Sequence, residues 1–317
     1  MTTKSADNAA RLALAAAAIT VLLWASSFVV IRDAGQHFSA GSLALGRLLV
    51  AALALAVTVV IRRQGWPARA AWPGIVVSGV LWFGVYFVAL NWGEQMVDAG
   101  TASMLINIGP ILIALLSSWL LKDRLPPRGF AGLAISFGGA AVVGFSMSQL
   151  GQASILGVLL CLAAAVSYAG GVVAQKPALR HASALQVTTF GCAIGAIGCL
   201  PFAGQLVTEV WKAPLSANLD ILYLGVFPTA VAFTTWAYAL SRTTATKMGA
   251  TTYIVPALTV LLAWAFLGQV PPWLSFVGGA VCLVGVAVTR STWQLAWGRR
   301  EPAEGPAEPT RSAADAP

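Results

Sequence analysis

Apolar runs of about twenty residues follow one another along this chain, and a helix of that length crosses the roughly 30 Å hydrocarbon core of a bilayer. Backbone polar groups find no partners in lipid, so each run has to close its hydrogen bonds internally as an α-helix. Ten runs are predicted to span, at 11–31, 39–61, 73–92, 98–121, 128–147, 153–174, 184–207, 218–240, 247–267 and 271–290. The 317 residues are 58% hydrophobic and 9% charged, whereas soluble domains carry about 25% charged residues. The fold class expected is therefore an all-α membrane protein with ten transmembrane helices. The first run outlasts the apolar core of a signal peptide, about 7–15 residues, and nine more follow it, so it reads as an uncleaved helix. Residues 1–10 form a short polar tail, and the Pro-, Ala- and Glu-rich segment 291–317 cannot bury a core and reads as a disordered tail.

The net charge of +8 does not indicate a nucleic-acid partner, because the basic residues punctuate apolar runs instead of gathering on one folded face. Counted with the N-terminus inside, sixteen of the 19 Lys and Arg residues fall on inner loops and tails, two (Arg32 and Lys212) fall outside, and Arg47 lies within a span. This bias sets both termini in the cytoplasm of a cell-membrane protein. Cys161, Cys192, Cys199 and Cys282 all fall in apolar segments without a CxxC pair or a nearby His pair, so neither a disulfide framework, a metal nor a cofactor is expected. No GxSxG, HExxH or intramembrane Asp pair occurs, and His37 and His181 fall at span ends on opposite sides. Nothing points to a catalytic residue, and a membrane-embedded enzyme is the lesser reading.

The sequence repeats itself. Residues 99–143 align without a gap on 245–289 at an offset of 146, with 14 identities in 45 positions, among them Pro110/Pro256, Phe130/Phe276, Gly132/Gly278 and Gly139/Gly285. Near the front of each half an offset of 144 superposes "HFSA" (37–40) on "HASA" (181–184) and Trp24 on Tyr168. Two repeats follow, 11–147 and 152–290, each with five spans. An odd number of spans inverts the second copy. The loop "LLKDRLPP" (120–127) is then cytoplasmic and basic, while its copy "FLGQVPP" (266–272) is external and neutral. Inverted halves in a membrane protein imply alternating access, in which the halves rock about a central site.

The stretches "LWASSFVVIR" (23–32), "GRLLVAALAL" (46–55), "GPILIALLSSWLLKDRLPPRGFAGLAISFGGAAVVG" (109–144) and "VPALTVLLAWAFLGQVPPWLSFVGGAVCLVGVAV" (255–288) resemble the EamA type of the drug/metabolite transporter superfamily, in its tandem ten-helix form. Asp123-Arg124 keeps that family's loop pattern, and Gln269-Val270 departs from it. The related four-helix multidrug pumps keep a Glu in their first helix. No Asp or Glu lies near the middle of any span here, which argues against cationic drug export.

Polar and aromatic side chains are costly in lipid and are expected to face the bundle interior. Those predicted to line a substrate pathway are Trp24, Ser27, Trp82, Tyr86, Asn107, Tyr168, Thr235, Trp236, Thr252 and Tyr253. Pro110 and Pro256 join them, because a proline in mid-helix frees a carbonyl that a solute can use. The resemblance implies the same set, since helices 1, 3, 4, 6, 8 and 9 enclose the cavity in that superfamily. Arg47 has two readings, a structural one on a helix that the resemblance makes peripheral, and a partner for a substrate carboxylate or phosphate. Its repeat mate is Gly191. Lys247 likewise either follows the charge bias or meets anions at the inner mouth. Glu94 and Asp98, flanking the outer ends of spans 3 and 4, are the candidates for proton coupling. Small residues in spans 5 and 10 predict close contact between the halves and a functional monomer. The expected activity is export of a small metabolite, an amino acid or derivative. Its alternative is uptake or exchange of anionic metabolites.

Overall fold

The computed structural model describes residues 2–96, 102, 105–122, 127–147, 154–267 and 273–297. All regular structure among them is helical. In chain order the rods are α1 (Thr2–Ala34), α2 (Ala40–Ile61), α3 (Arg69–Met96), α4 (Gly109–Leu120), α5 (Pro127–Met147), α6 (Ile155–Ala178), α7 (Ala184–Gly198), α8 (Leu215–Ser241), α9 (Ala245–Phe266) and α10 (Trp273–Trp297). Six of these, α1, α2, α3, α6, α8 and α9, are long and apolar enough to cross a membrane, and α7 with its continuation Leu200–Lys212 makes a seventh if that pair is one span. The pair is bent by 56°, where the sequence predicts one straight span over 184–207. Pro201 lacks a donor N–H, which favours the break after Cys199. Asp98 and the loop residues 123–126 and 268–272 lie outside the described residues.

The packing crosses between the halves. α1 lies against α8 and α9, and α6 lies against α3 and α4. α2 packs on α7 and on the middle of α8, and α7 packs in turn on the middle of α3. α5 and α10 run along each other. A Cβ on Gly285 would collide there with Ser136 and the Gly132 carbonyl oxygen, so glycine sets the separation of that pair.

Two turns repeat the same hydrogen bonds at an offset of 144. His37 N–H donates to Ala34 O at 3.0 Å and Leu43 N–H to Ser39 O at 2.9 Å, matched by His181 to Ala178 and Val187 to Ser183, both at 3.0 Å. The turns sit at opposite ends of α2. Ser39 precedes its first residue, while the Ser183 hydroxyl donates to Gln64 Oε1 just beyond its last, at 2.7 Å. With 22 residues in α2, the turns are about 33 Å apart. Ser183 caps α7 through a reciprocal box with Gln186. Ser39 instead gives its backbone N–H to Glu209 Oε2 at 3.0 Å, and Ser42 also bonds that carboxylate. An anion at a helix N-terminus meets the orphan donors and the dipole there.

A second repeated feature is invisible to hydropathy. Residues Gly79–Val85 of α3 and Gly225–Val231 of α8 are wound as π-helix, and the two segments are 146 residues apart. The residue after each donates its N–H five back, Tyr86 to Leu81 O and Ala232 to Phe227 O. Each segment opens on a glycine pressed against the partner half. A Cβ on Gly79 would lie 2.9 Å from Ile194 Cβ and 3.2 Å from Gly191 O; one on Gly225 would lie 2.5 Å from Val50 Cβ and 2.9 Å from Arg47 O. Residues 191 and 194 are the repeat mates of 47 and 50, so the two crossings are built from equivalent positions.

The prolines differ from expectation. A turn at Asn107–Ile108 precedes α4, and a turn at Thr252–Tyr253 divides α9. Pro110 thus enters the first turn of a new helix, and Pro256 the first turn after Tyr253. There a missing N–H costs nothing, because the first-turn donors have no intrahelical acceptors.

Candidate functional site

A cavity of about 70 Å³ lies between α1, α2, α3, α6, α8 and the breaks beside α4 and in α9, room for about five waters. α1 contributes Trp24, Ser27, Phe28 and Ile31, at the three- and four-residue spacing of one helix face. α3 contributes Trp82, Tyr86, Phe87 and Leu90, beginning inside its π segment. Arg47 comes from α2, and Ile106 and Asn107 from the residues before α4. Among the described residues the second half supplies Tyr168, Phe233, Thr252 and Val255.

The wall toward the Ser183 turn is aromatic. Trp24 packs on Phe233 at 5.2 Å and Trp82 on Phe233 at 4.8 Å, and behind them Trp236 lies 4.9 Å from Trp24 and 5.6 Å from Trp82. Edge-to-face and tilted rings at such distances attract one another beyond their area burial. Trp24 Nε1 donates to the Pro228 carbonyl at 3.2 Å, inside the α8 π segment. Beyond this plug, Lys176 Nζ donates to the Leu240 carbonyl at 2.6 Å and to that of Thr243. A lysine there bonds carbonyls at and just past the C-terminal end of α8, where the helix dipole favours a cation. The cavity extends the other way, past Ile31, Leu90 and Ile106, toward the Ser39 turn.

Of the residues predicted from sequence, Trp24, Ser27, Trp82, Tyr86, Asn107, Tyr168, Thr252 and Arg47 stand on this cavity. Trp236 sits one layer behind it. Thr235 joins α8 to α1, with its Oγ1 2.8 Å from Thr20 Oγ1. Tyr253 is buried with Ala114, Leu133 and Ala250 between α4, α5 and α9. Pro110 and Pro256 are buried off the cavity. Lys247 lies in the first turn of α9, its N–H capped by Thr244 Oγ1. Glu94 lies outside the lining, within the electrostatic reach of Arg47 and Arg32. The pattern missed Phe28, Ile31, Phe87, Leu90, Ile106, Phe233 and Val255. Extending the Trp24–Ser27 face by one turn finds Phe28 and Ile31, and the four-residue step from Trp82 to Tyr86 leads on to Leu90.

Arg47 is 2% exposed. Its Nε donates to Thr229 Oγ1 at 3.1 Å, and the Thr229 hydroxyl donates in turn to the Leu224 carbonyl at 2.7 Å, a five-residue step at the start of the π segment. The guanidinium carbon stands 4.0 Å over the Phe87 ring, a cation–π contact. Among the described residues no acceptor bonds either Nη atom, and Arg47 is one of the residues that line the cavity.

A bundle of apolar helices, six of them long and apolar enough to cross a membrane, around a cavity with an aromatic wall defines a polytopic membrane protein. Both halves match the EamA-like transporter family, over residues 11–145 and 155–291, and the chain belongs to that family of membrane transporters. It is 36% identical over 289 residues to a probable terminal-alkyne amino-acid exporter of Streptantibioticus cattleyicolor, covering 91% of this chain and 95% of that one. It is 34% identical over 267 residues to the uncharacterized transporter YdfC of Bacillus subtilis, covering 84% and 87%. One crystal structure superposes with a TM-score of 0.74 at 22% identity, covering 90% of this chain and 98% of the other, a likeness of fold.

Proposed function

We propose that the protein is a secondary transporter of the cell membrane that exports a small metabolite, an amino acid or derivative, by alternating access. In this reading ten spans form two inverted repeats, 11–147 and 152–290, with both termini cytoplasmic, and one copy of the chain is the working unit. The observation that carries it is a central cavity plugged by Trp24, Trp82, Phe233 and Trp236 at one end and extending toward the other, flanked by paired π segments at the repeat spacing. With the N-terminus inside, the plug faces the cytoplasm and the cavity faces out. The resemblance to a probable amino-acid exporter supports the substrate class. The reading is transport instead of catalysis, with no cofactor and no nucleic acid. Proton coupling, where present, runs through Glu94 or Asp98.

Untargeted metabolomics of cells lacking or overproducing the protein tests this: one amino acid or derivative should accumulate inside without the protein and outside with excess. An unchanged distribution of every metabolite would sink the proposal. Purified protein in liposomes adds the coupling test. Substrate-evoked proton flux that survives Glu94→Gln and Asp98→Asn removes both carboxylates from the mechanism.

A further inference from the structure

The two helix crossings act as controls for each other. At α3/α7, Gly79 presses on α7, and the Phe83 ring covers Gly191, whose Cβ would stand 2.9 Å from that ring. At α2/α8 the mates of these residues are Gly225, Thr229 and Arg47, so Thr229 takes the place of Phe83 and Arg47 the place of Gly191. The same crossing closes with glycine and an apolar ring at one end of the molecule. The architecture therefore does not require a cation at position 47, and burying one is costly without a partner.

What the cation does have is a support. Thr229 holds Nε, Phe87 covers one face, and the Nη edge is left without a described acceptor on a residue that lines the cavity. That edge presents N–H groups in the planar fork that matches a carboxylate. Glu94 is within electrostatic reach but makes no ion pair with Arg47 among the described residues. Among the described residues the remaining lining is aromatic, aliphatic, hydroxyl or amide, without a carboxylate. An ammonium group on a ligand would meet only aromatic faces and neutral oxygens, whereas a ligand carboxylate meets a prepared receptor.

We propose that the cavity selects its ligand as a small carboxylate, with Arg47 receiving the carboxylate on its Nη edge and the rings of Trp24, Trp82 and Tyr168 receiving a short apolar tail, and that an amino group is not required. This rests on the transport reading for its purpose and deepens it by separating which half of an amino acid is recognised. Thr229 and Phe87 are positioning residues.

The test uses the full chain in lipid nanodiscs and four probes: L-norvaline, pentanoate, L-norvalinamide and butylamine. Binding is read by the ligand-dependent rise in melting temperature and by tryptophan emission, because Trp24 and Trp82 line the cavity. Norvaline and pentanoate should bind within about fivefold of each other, the gain open to an ammonium on an aromatic face. The amide and the amine should bind about tenfold more weakly or worse, the loss of a charge-assisted hydrogen bond. Arg47→Gln should abolish the difference between acid and amide, and Arg47→Lys, which keeps the charge without the fork, should retain part of it. The comparison of probes on the unaltered protein stands even if a variant fails to fold.

Equal binding of amide and acid, a preference that persists in Arg47→Gln, or binding of neither acid at millimolar concentration each overturns the proposal. Flux assays in liposomes separate this from the transport reading. A carboxylate preference in a protein that moves none of the four probes keeps the site and weakens transport, and equal flux of acid and amide keeps transport and removes the site.

Discussion

At the α3/α7 crossing an apolar ring lies on a glycine, and at the α2/α8 crossing a hydroxyl meets an arginine, although both crossings open on a glycine and occupy equivalent positions. The glycines belong to the frame, since close approach of two helices is what they permit. The filling differs, an apolar ring at one crossing and at the other an arginine that lines the cavity. The turns divide in the same way. Ser183 caps α7 with residues of its own segment, while the Ser39 turn borrows the Glu209 carboxylate from beyond the bend after α7. Repetition therefore accounts for the scaffold, and the Arg47–Thr229 bond and the Glu209 contact of the Ser39 turn are departures from it.

The strongest way to break the comparison is to fill both glycines. Gly225→Leu and Gly79→Leu should each cost about 3 kcal/mol or more through overpacking against backbone. Gly225 should be the worse of the two, because its Cβ meets a carbonyl at 2.9 Å against 3.2 Å for Gly79. Yield of monodisperse protein and its melting temperature measure this; variants that melt like the parent would contradict the packing at both crossings. Next, Phe83→Ala should cost about 3–5 kcal/mol as a buried ring is lost, and Thr229→Val about 1.5–3 kcal/mol as the arginine loses its acceptor. Only the second should also weaken the acid-over-amide preference, which binding of the norvaline pair would reveal.

Smaller effects sharpen the contrast between the turns. Ser183→Ala should cost about 1 kcal/mol by removing the cap, and Ser39→Ala less, because the backbone bond from residue 39 to Glu209 survives the change. A larger loss at Ser39 than at Ser183 in thermal unfolding would reverse the assignment. The smallest expected effect is a gain. α2 ends in a Schellman turn, with Gln64 N–H to Val59 O and Arg63 N–H to Val60 O, both at 3.0 Å, and Arg63 takes a φ of 49° there. Arg63→Gly should stabilise the protein by up to about 1 kcal/mol. No such turn exists in α7, which bends and continues, so Val207→Gly at the equivalent position should only weaken it.

Hydropathy made the long helices legible, because lipid leaves an apolar run no other fold. The faces of α1 and α3 were legible in outline from Trp24, Ser27, Trp82 and Tyr86, whose size or polarity needs an interior. The π segments were not. "GVLWFGV" and "GVFPTAV" share little beyond the opening Gly-Val and the closing Val, and the winding depends on packing against Ile194 and Val50, far away in sequence. Nor was the position of Arg47 on the cavity. Resemblance put α2 at the periphery, and only the packing of α2 on the second half's α8 turns that arginine inward. The shift of offset from 144 to 146 was visible in the alignment, but its cause is structural: two extra residues between Ile194 and Gly225, where α7 bends and α2 stops.

Each π segment carries the chain around its axis more slowly than an α-helix does, so it holds residues in reserve. Returning one residue to α winding would turn everything downstream by about 100° and shift it by about 1.5 Å. In α3 the first residues to turn are Tyr86 and Phe87, and in α8 they include Phe233 and Trp236. Such a change acts like a key rotating in a lock, exchanging the side chains that face the cavity while the upstream end of the helix stays in place.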